Sequence, residues 1–130
     1  MNLESPKVTA NKSQQEMFVF LSNAENYEQL MPESKEKFEV ISQDTFLFGL
    51  KGMPEIKLRI QETEEPNLVV LGSASDKFPF TLSSHITALA ENKSEVQLLF
   101  NGKFNAMMSM MIKGPLQKFI NALASNIGKQ

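Results

Sequence analysis

The last quarter of the chain carries the pattern that most constrains its fold. Polar residues recur at every fourth position from 109 to 125, and large apolar residues fall on the opposite side of the same predicted helix. A helix over residues 105–127 is roughly 33 Å long at about 1.5 Å per residue, enough to cross a small domain. Its apolar side needs a surface to cover it. The polar side consists of Ser109, Lys113, Gln117, Asn121 and Ser125, and the apolar side of Met108, Met111, Ile112, Leu116, Phe119, Leu123 and Ile127.

The middle of the chain supplies such a surface as a predicted sheet. Between residues 36 and 104, apolar residues alternate with polar ones over short segments. Turn residues, among them Gly52-Met53-Pro54, separate the segments. This alternation is typical of antiparallel strands with one buried and one solvated face. About six strands are predicted here. Their apolar positions include Phe38 and Val40; Phe46, Phe48 and Leu50; Ile56, Leu58 and Ile60; the run 68–71; Phe78, Phe80, Leu82, Ile86 and Ala88; and Val96, Leu98, Phe100 and Phe104.

The first quarter of the chain predicts one strand and two short helices. Residues 3–10 form the strand, and Pro6 confines it to an edge or a bend. Ser13-Gln-Gln-Glu16 is a capping box that begins a helix over residues 14–22, and a second helix follows over residues 24–31. One sheet with one apolar face and one long helix bury each other, so the predicted class is α+β with two layers.

Composition excludes several classes of protein. The 130 residues fit one domain, and the formal net charge is −2. Arg59 is the only arginine and the lysines are scattered, whereas a nucleic-acid interface needs a basic face, so no nucleic-acid partner is expected. The absence of cysteine excludes disulfides and thiolate chemistry. Residues 1–8 show no signal peptide and no apolar run reaches the ~20 residues of a membrane span, so a cytoplasmic protein is expected.

Two stretches resemble those of a known superfamily. Residues 8–32 contain a strand, a capped helix and a turn that ends in Tyr27-Glu-Gln-Leu-Met-Pro32, and residues 115–123 read Pro-Leu-x-x-Phe-Ile-x-x-Leu. On these stretches and on the element order, the chain resembles the START-like, or SRPBCC, superfamily, whose reference fold is that of the major birch-pollen allergen. The resemblance implies a helix-grip fold over residues 1–130. In that fold a curved antiparallel sheet of about seven strands wraps around the long C-terminal helix and encloses a hydrophobic cavity.

The resemblance leaves the function open. Members of the superfamily bind lipids, sterols or quinones, cyclise polyketides, or activate chaperone ATPases, so the fold does not select one activity. The sequence shows no subfamily motif, and no catalytic residue is transferred from the superfamily.

The beginning of the C-terminal helix is rich in methionine. Four of the chain's eight methionines, Met107, Met108, Met110 and Met111, lie within the five-residue segment 107–111. They predict either ordinary core packing or the adaptable lining of an apolar ligand cavity, because thioether side chains repack around varied shapes. Without cysteine or a nearby histidine, a copper site is not expected.

Gly114-Pro115 interrupts the same helix. A proline inside a helix costs about 3 kcal/mol, and burial of the apolar side chains outweighs that penalty, so we expect a bent or restarted helix. Proline has no N–H to give to the Met111 carbonyl. Two alternatives follow. Either the interruption only bends the helix for packing, or the freed Met111 carbonyl faces the cavity and accepts a hydrogen bond from a ligand.

The ionisable residues do not predict a catalytic site. Alternation places His85, the only histidine, on the polar side of its strand, away from the apolar face. Glu62, Glu64 and Glu65 cluster at a turn, where carboxylates are solvated. The predicted interior carries few polar groups, chiefly Ser84 and Ser73, and catalysis needs placed acids or bases.

The sequence therefore predicts a protein that binds or carries a small hydrophobic or amphipathic ligand, with no cofactor and no metal. Non-catalytic binding is favoured over an enzyme of the polyketide cyclase or dehydratase kind, and both stay open. A protein-interaction module, with a filled core and an exposed apolar patch, is the other alternative. A homo-oligomer is compatible with the sequence but not indicated by it. The residues predicted to line the cavity are Phe48, Phe80, Leu82, Phe100, Met107, Met108, Met111 and Ile112.

Overall fold

One antiparallel sheet covers one side of a long C-terminal helix. The structure is a computed structural model that describes residues 1–53, 55–74 and 79–130. Its elements are, in chain order, β1 (Asn2–Glu4), β2 (Val8–Ala10), α1 (Gln14–Leu21), a 3-10 helix (Ala24–Leu30), β3 (Lys35–Ser42), β4 (Thr45–Leu50), β5 (Ile56–Glu64), β6 (Leu68–Ser73), β7 (Phe80–Ala90), β8 (Lys93–Gly102) and α2 (Ala106–Ile127). The α+β class and the predicted element order are confirmed. Two details of the prediction, Phe78 as the start of a strand and Pro54 in a turn, lie outside the described residues.

The sheet has the order β1-β8-β7-β6-β5-β4-β3, and every pairing is antiparallel. The predicted first strand is divided at Pro6 into β1 and β2, which both pair with β8. Ser5 joins the two halves to β8, because its N–H donates to the Leu98 carbonyl at 2.9 Å and its hydroxyl accepts from the Leu98 N–H at 3.0 Å. The sequence predicted this strand at an edge or bend, and it lies at the edge.

The first helix, α1, begins where its capping box predicts. The Ser13 hydroxyl accepts from the Glu16 N–H, and the Glu16 carboxylate accepts from the Ser13 N–H, each at 3.0 Å. The second element is a 3-10 helix in place of a regular helix. Tyr27 ties it to α1 by donating its hydroxyl proton to the Leu21 carbonyl at 2.7 Å, inside the core.

The core lies between the sheet and the second half of α2. Burial along α2 starts at Leu116, and the side chains before it are exposed or half-buried. Asn126 fastens the end of α2 to the 3-10 helix through its side-chain amide, which donates to the Leu30 carbonyl at 2.9 Å. Among the described residues, no helix combines the length and the apolar character that crossing a bilayer requires. The buried side chains of α2 are Leu116, Phe119, Ile120, Leu123, Ala124 and Ile127.

Candidate functional site

Where the described residues of the sheet face α2, the interior is closely packed around a small gap. This gap, hereafter the inner gap, has a volume of about 10 Å³, which is at the lower limit for a single water molecule. Two pairs of stacked rings occupy this region, Phe48 with Phe119 at 5.0 Å and Phe80 with Phe100 at 5.2 Å between centroids. The resemblance implied a hydrophobic cavity between sheet and helix, and these four rings occupy that region. The lining consists of Phe48, Ile56, Leu58, Phe80, Leu82, Phe100, Leu116, Phe119 and Ile120.

A larger space opens at the surface beside the middle of α2. This outer cleft has a volume of about 400 Å³, within the range of roughly 300–1,000 Å³ that small-molecule sites occupy. Three segments form its walls: the chain after the 3-10 helix, the turn between β4 and β5, and the third and fourth turns of α2. The lining consists of Pro32, Ser34, Leu50, Lys51, Gly52, Met53, Gly114, Pro115, Lys118 and Phe119.

A tight turn after β4 builds one wall of the outer cleft. The Met53 N–H donates to the Leu50 carbonyl at 3.0 Å, which closes a four-residue turn. Gly52 occupies the third position with φ of 82°, the value that a type II turn requires and that side-chain-bearing residues rarely adopt. The Lys51 N–H donates to the Ser34 carbonyl at 2.9 Å, so the turn is held against the segment after the 3-10 helix.

The Gly114-Pro115 pair builds the opposite wall. α2 continues through Pro115 as one helix from Ala106 to Ile127, so the helix survives the proline and does not restart there. The expected bend stays a prediction. A Cβ placed on Gly114 would meet no atom within 4 Å, so the lack of a side chain at this position leaves open space in the cleft. Met111 lines neither the outer cleft nor the inner gap. The proposed role of its carbonyl as a ligand acceptor stays a prediction.

Phe119 lies between the two spaces and lines both of them. Its side chain is 6% exposed, so the ring separates the open cleft from the closed gap. The Phe119 ring stacks on the Phe48 ring, with an angle of 13° between the two ring planes, and this stacking holds it in position.

The charged groups at the site are cationic. Among the described residues that line the two spaces, Lys51 and Lys118 carry the charges, and none carries a carboxylate or an imidazole. The described residues also hold no cluster of three or more histidine and acidic side chains that could bind a metal. His85 is exposed on the other side of the sheet, as predicted.

Tyr27 is a buried titratable group, but it lies outside the site. Burial raises the pKa of its phenol well above the ordinary value, because an apolar environment disfavours the phenolate. Its hydroxyl is already committed to the Leu21 carbonyl. It therefore serves packing in the region of the 3-10 helix, where its ring stacks on Phe46 at 4.9 Å.

The predicted lining residues fall into two groups in the structure. Phe48, Phe80, Leu82 and Phe100 come together around the inner gap. The other four lie on the first half of α2 and line neither space: Met107 and Met111 are exposed, whereas Met108 and Ile112 are half-buried.

Sequence reasoning missed most of the residues of the outer cleft. The sequence predicted the turn at Gly52 and the interruption at Gly114-Pro115 as separate features. These were the two sequence features that could have pointed to the cleft. Only the packing of α2 against the β4 end of the sheet brings the two features into one cleft.

Comparison with known proteins supports the fold alone. No protein-family model and no curated protein matches the chain. One similar solved structure is a point mutant of norcoclaurine synthase from Thalictrum flavum in complex with a transition-state analogue. The TM-score is 0.74 and the sequence identity 13%, and the alignment covers 99% of this chain and 92% of that chain. A START superfamily protein from Mycobacterium smegmatis is similar with a TM-score of 0.68 at 13% identity, over 98% and 97% of the two chains. A conserved protein from Geobacillus kaustophilus gives a TM-score of 0.68 at 11% identity, over 99% and 93%. The chain therefore has the START-like helix-grip fold.

Proposed function

We propose that the protein binds a small hydrophobic or amphipathic molecule, of lipid, sterol or quinone type, at the outer cleft. The observation that carries this proposal is the position of Phe119, which lines both the cleft and the inner gap. A ligand that enters the cleft meets Phe119 as a movable wall. When the ring turns away, the apolar part of the ligand reaches Phe48, Phe80, Leu82 and Phe100, the four predicted lining residues that surround the gap.

The chemistry of the lining supports binding without catalysis. Acid–base catalysis needs an ionisable group placed against the reacting atoms. The described lining residues offer two lysine ammonium groups at the open cleft and an apolar surface inside. A polyketide cyclase or dehydratase would need an acid or base at the apolar end, where these residues provide none. We also propose that residues 1–130 form one START-like domain and that the protein is cytoplasmic.

A neutral apolar fluorophore tests the proposal directly. N-phenyl-1-naphthylamine has no charge, and its emission rises when it leaves water for an apolar site. We expect saturable binding to the wild-type protein and loss of binding in Gly114→Trp, which places an indole in the cleft. Replacing a helical glycine favours the helix by up to about 1 kcal/mol, so this variant is expected to fold. Ser125→Trp is the matched control, because Ser125 is exposed on α2 and lies outside the cleft.

The outcome separates a specific site from general surface adsorption. Binding that is weakened in Gly114→Trp and unchanged in Ser125→Trp supports the cleft. Equal binding by all three proteins, or no saturable binding by the wild type, contradicts the proposal. Native mass spectrometry of the purified protein adds an independent measurement, since a carrier is expected to retain a ligand of defined mass.

A second candidate function rests on a different observation. Met107, Met110 and Met111 are 74%, 84% and 69% exposed, so three large apolar side chains on α2 face solvent. The interaction-module alternative predicted a filled core together with such a patch, and Met-rich surfaces adapt to varied partners. Lys103 and Lys113 flank the patch in the chain, which favours a partner segment that carries both apolar and acidic side chains.

A peptide-binding measurement tests this second candidate. A labelled synthetic amphipathic helix of leucine and glutamate serves as the probe in fluorescence anisotropy. Binding that is lost in a variant with all three methionines replaced by glutamine, while Gly114→Trp still binds, supports the interaction module. Binding that survives the triple replacement, or the absence of binding to the wild type, excludes it.

A further inference from the structure

We propose that the ligand of the outer cleft is an anionic amphipath. Its carboxylate, sulfonate or phosphate group is held between the ammonium groups of Lys51 and Lys118, and its apolar part lies against Phe119. This inference rests on the proposed function and specifies the chemical class of the ligand.

Among the described residues, neither of the two lysines has an acidic partner. Neither forms an ion pair among the described residues, where the pairs found are Lys35 with Glu28 and Lys37 with Glu55, each at 3.4 Å. Both of these carboxylates, Glu28 in the 3-10 helix and Glu55 directly before β5, are therefore already engaged by other lysines. Both cleft lysines are exposed, so their charges stay hydrated until a ligand arrives.

The carboxylate closest to the cleft along the chain does not neutralise the lysines. Glu33 lies between Pro32 and Ser34, which line the cleft, but it is exposed and does not belong to the lining. Of the described lining residues, only lysines carry a charge, so an anion meets attraction and no direct repulsion there.

The distribution of charge along the whole chain favours the same class of ligand. The chain has a net charge of −2, yet all its acidic residues precede position 96. Residues 96–130 contain four lysines and no acidic residue. This segment includes β8 from Val96 onward and all of α2. The helix wall of the cleft is thus a cationic region on an otherwise acidic protein. Such a local field raises the concentration of small anions at the cleft.

The position of the two lysines gives the cleft a charged rim and an apolar floor. Lys51 is the second residue of the type II turn, and its N–H bond to the Ser34 carbonyl fixes where its side chain starts. Lys118 lies on α2 directly before Phe119 and therefore on the opposite wall. The floor is apolar, since Leu50 and Phe119 are both 6% exposed. A cationic rim above an apolar floor matches a molecule with an anionic head and an apolar body.

Two fluorophores that differ by one anionic group test the inference. The dye 1-anilinonaphthalene-8-sulfonate is N-phenyl-1-naphthylamine with an added sulfonate, so a comparison of the two isolates the head group. We expect the sulfonate to bind the wild type more tightly than the neutral dye. Exposed ion pairs are individually weak, so Lys51→Gln/Lys118→Gln is expected to weaken sulfonate binding roughly threefold to tenfold and to leave the neutral dye unchanged. Added salt is expected to weaken sulfonate binding alone, because exposed charges are screened.

The control removes the same number of positive charges at positions outside the cleft lining. Lys103→Gln/Lys129→Gln changes the net charge equally but touches no lining residue, so its effect on sulfonate binding is expected to be small. Dodecanoate and dodecyl phosphate, used as competitors of the sulfonate dye, distinguish a carboxylate from a phosphate head. Dodecyltrimethylammonium has the same chain with a cationic head and is expected not to compete.

Three results would overturn the inference, and they separate it from the proposed function. If both dyes bind with equal affinity and neither double replacement changes that affinity, the cleft binds apolar molecules but does not select anions. If the cleft replacement and the control replacement weaken sulfonate binding equally, the effect comes from the general charge of the protein and not from a site. If neither dye binds in a saturable way, the proposed function fails and the anion preference fails with it.

Discussion

The replacement Phe119→Ala tests the role of this ring as the wall between the outer cleft and the inner gap. The ring is nearly buried and stacks on Phe48 at 5.0 Å, so its removal leaves a void that the stacked rings cannot refill completely. Phenylalanine-to-alanine changes in protein cores cost about 3–5 kcal/mol of unfolding free energy. Domains of this size are stable by about 5–15 kcal/mol, so the variant is expected to fold with reduced stability.

The loss of stability is expected to be accompanied by a gain in binding. The new void connects the outer cleft with the inner gap, so apolar surface becomes accessible to a ligand from the cleft. N-phenyl-1-naphthylamine is therefore expected to bind Phe119→Ala more tightly than the wild type. A ligand present at 100 times its dissociation constant restores about 2.7 kcal/mol, which recovers a large part of the lost stability.

Urea denaturation with and without the dye measures both effects. For a slope of roughly 2 kcal/mol per molar urea, the expected loss lowers the midpoint by about 1.5–2.5 M, and saturating dye moves it back up. Phe46→Ala is the matched control, because Phe46 is fully buried and stacks on Tyr27 at 4.9 Å but lines neither space. It is expected to lose similar stability without any gain in dye binding.

Either of two results would contradict the role of Phe119 as the wall between cleft and gap. A midpoint that hardly changes in Phe119→Ala would mean that the ring is not a packed wall. Equal gains in dye binding by Phe119→Ala and Phe46→Ala would mean that a loosened core, and not the connection of cleft and gap, admits the dye.

Three further predictions concern the elements that hold the site in place. Gly52→Ala is expected to lower the unfolding free energy by about 1–2 kcal/mol, because φ at this position is 82°. Gly114→Ala lies in a helix with open space around it and is expected to raise the unfolding free energy by up to about 1 kcal/mol. Urea denaturation midpoints of the two variants and the wild type measure both effects. The pKa of Tyr27 is raised in the folded state from an ordinary value of 10.0, so the stability that its neutral phenol contributes is present below that pH and is lost as the pH rises above it. Because Tyr27 is the only tyrosine, phenolate absorbance is expected to appear together with unfolding, and a phenolate signal in the folded protein near pH 10 would contradict this. Asn126→Ala removes the hydrogen bond to the Leu30 carbonyl and is expected to cost about 0.5–1.5 kcal/mol in the same denaturation assay; an unchanged midpoint would show that this bond does not anchor α2.

The sequence determined the elements and the surfaces that they bury. The capping box at Ser13 starts α1 where predicted, and Pro6 divides the edge strand, because both effects act through neighbouring residues. Period-two alternation identified the strands, and period-four polar positions identified α2. The side of α2 that becomes buried was also predictable from Leu116 onward, since each of these patterns is local.

Only the tertiary structure decided how far α2 is covered and where open space remains. Met111 continues the apolar side of the helix, yet it is exposed, because burial along α2 begins only at Leu116. Periodicity shows which side of a helix is apolar but not where its covering surface ends.

The same limit applies to the site. Lys51 and Lys118 are 67 positions apart in the sequence and come to one cleft because the end of β4 and the middle of α2 pack near each other. Whether the interior is hollow depends on the ring volumes of Phe48 and Phe119 relative to the distance between sheet and helix, a quantity that no local pattern encodes. Local patterns therefore predicted the fold, and the tertiary structure added the outer cleft beside Phe119 to the candidate site.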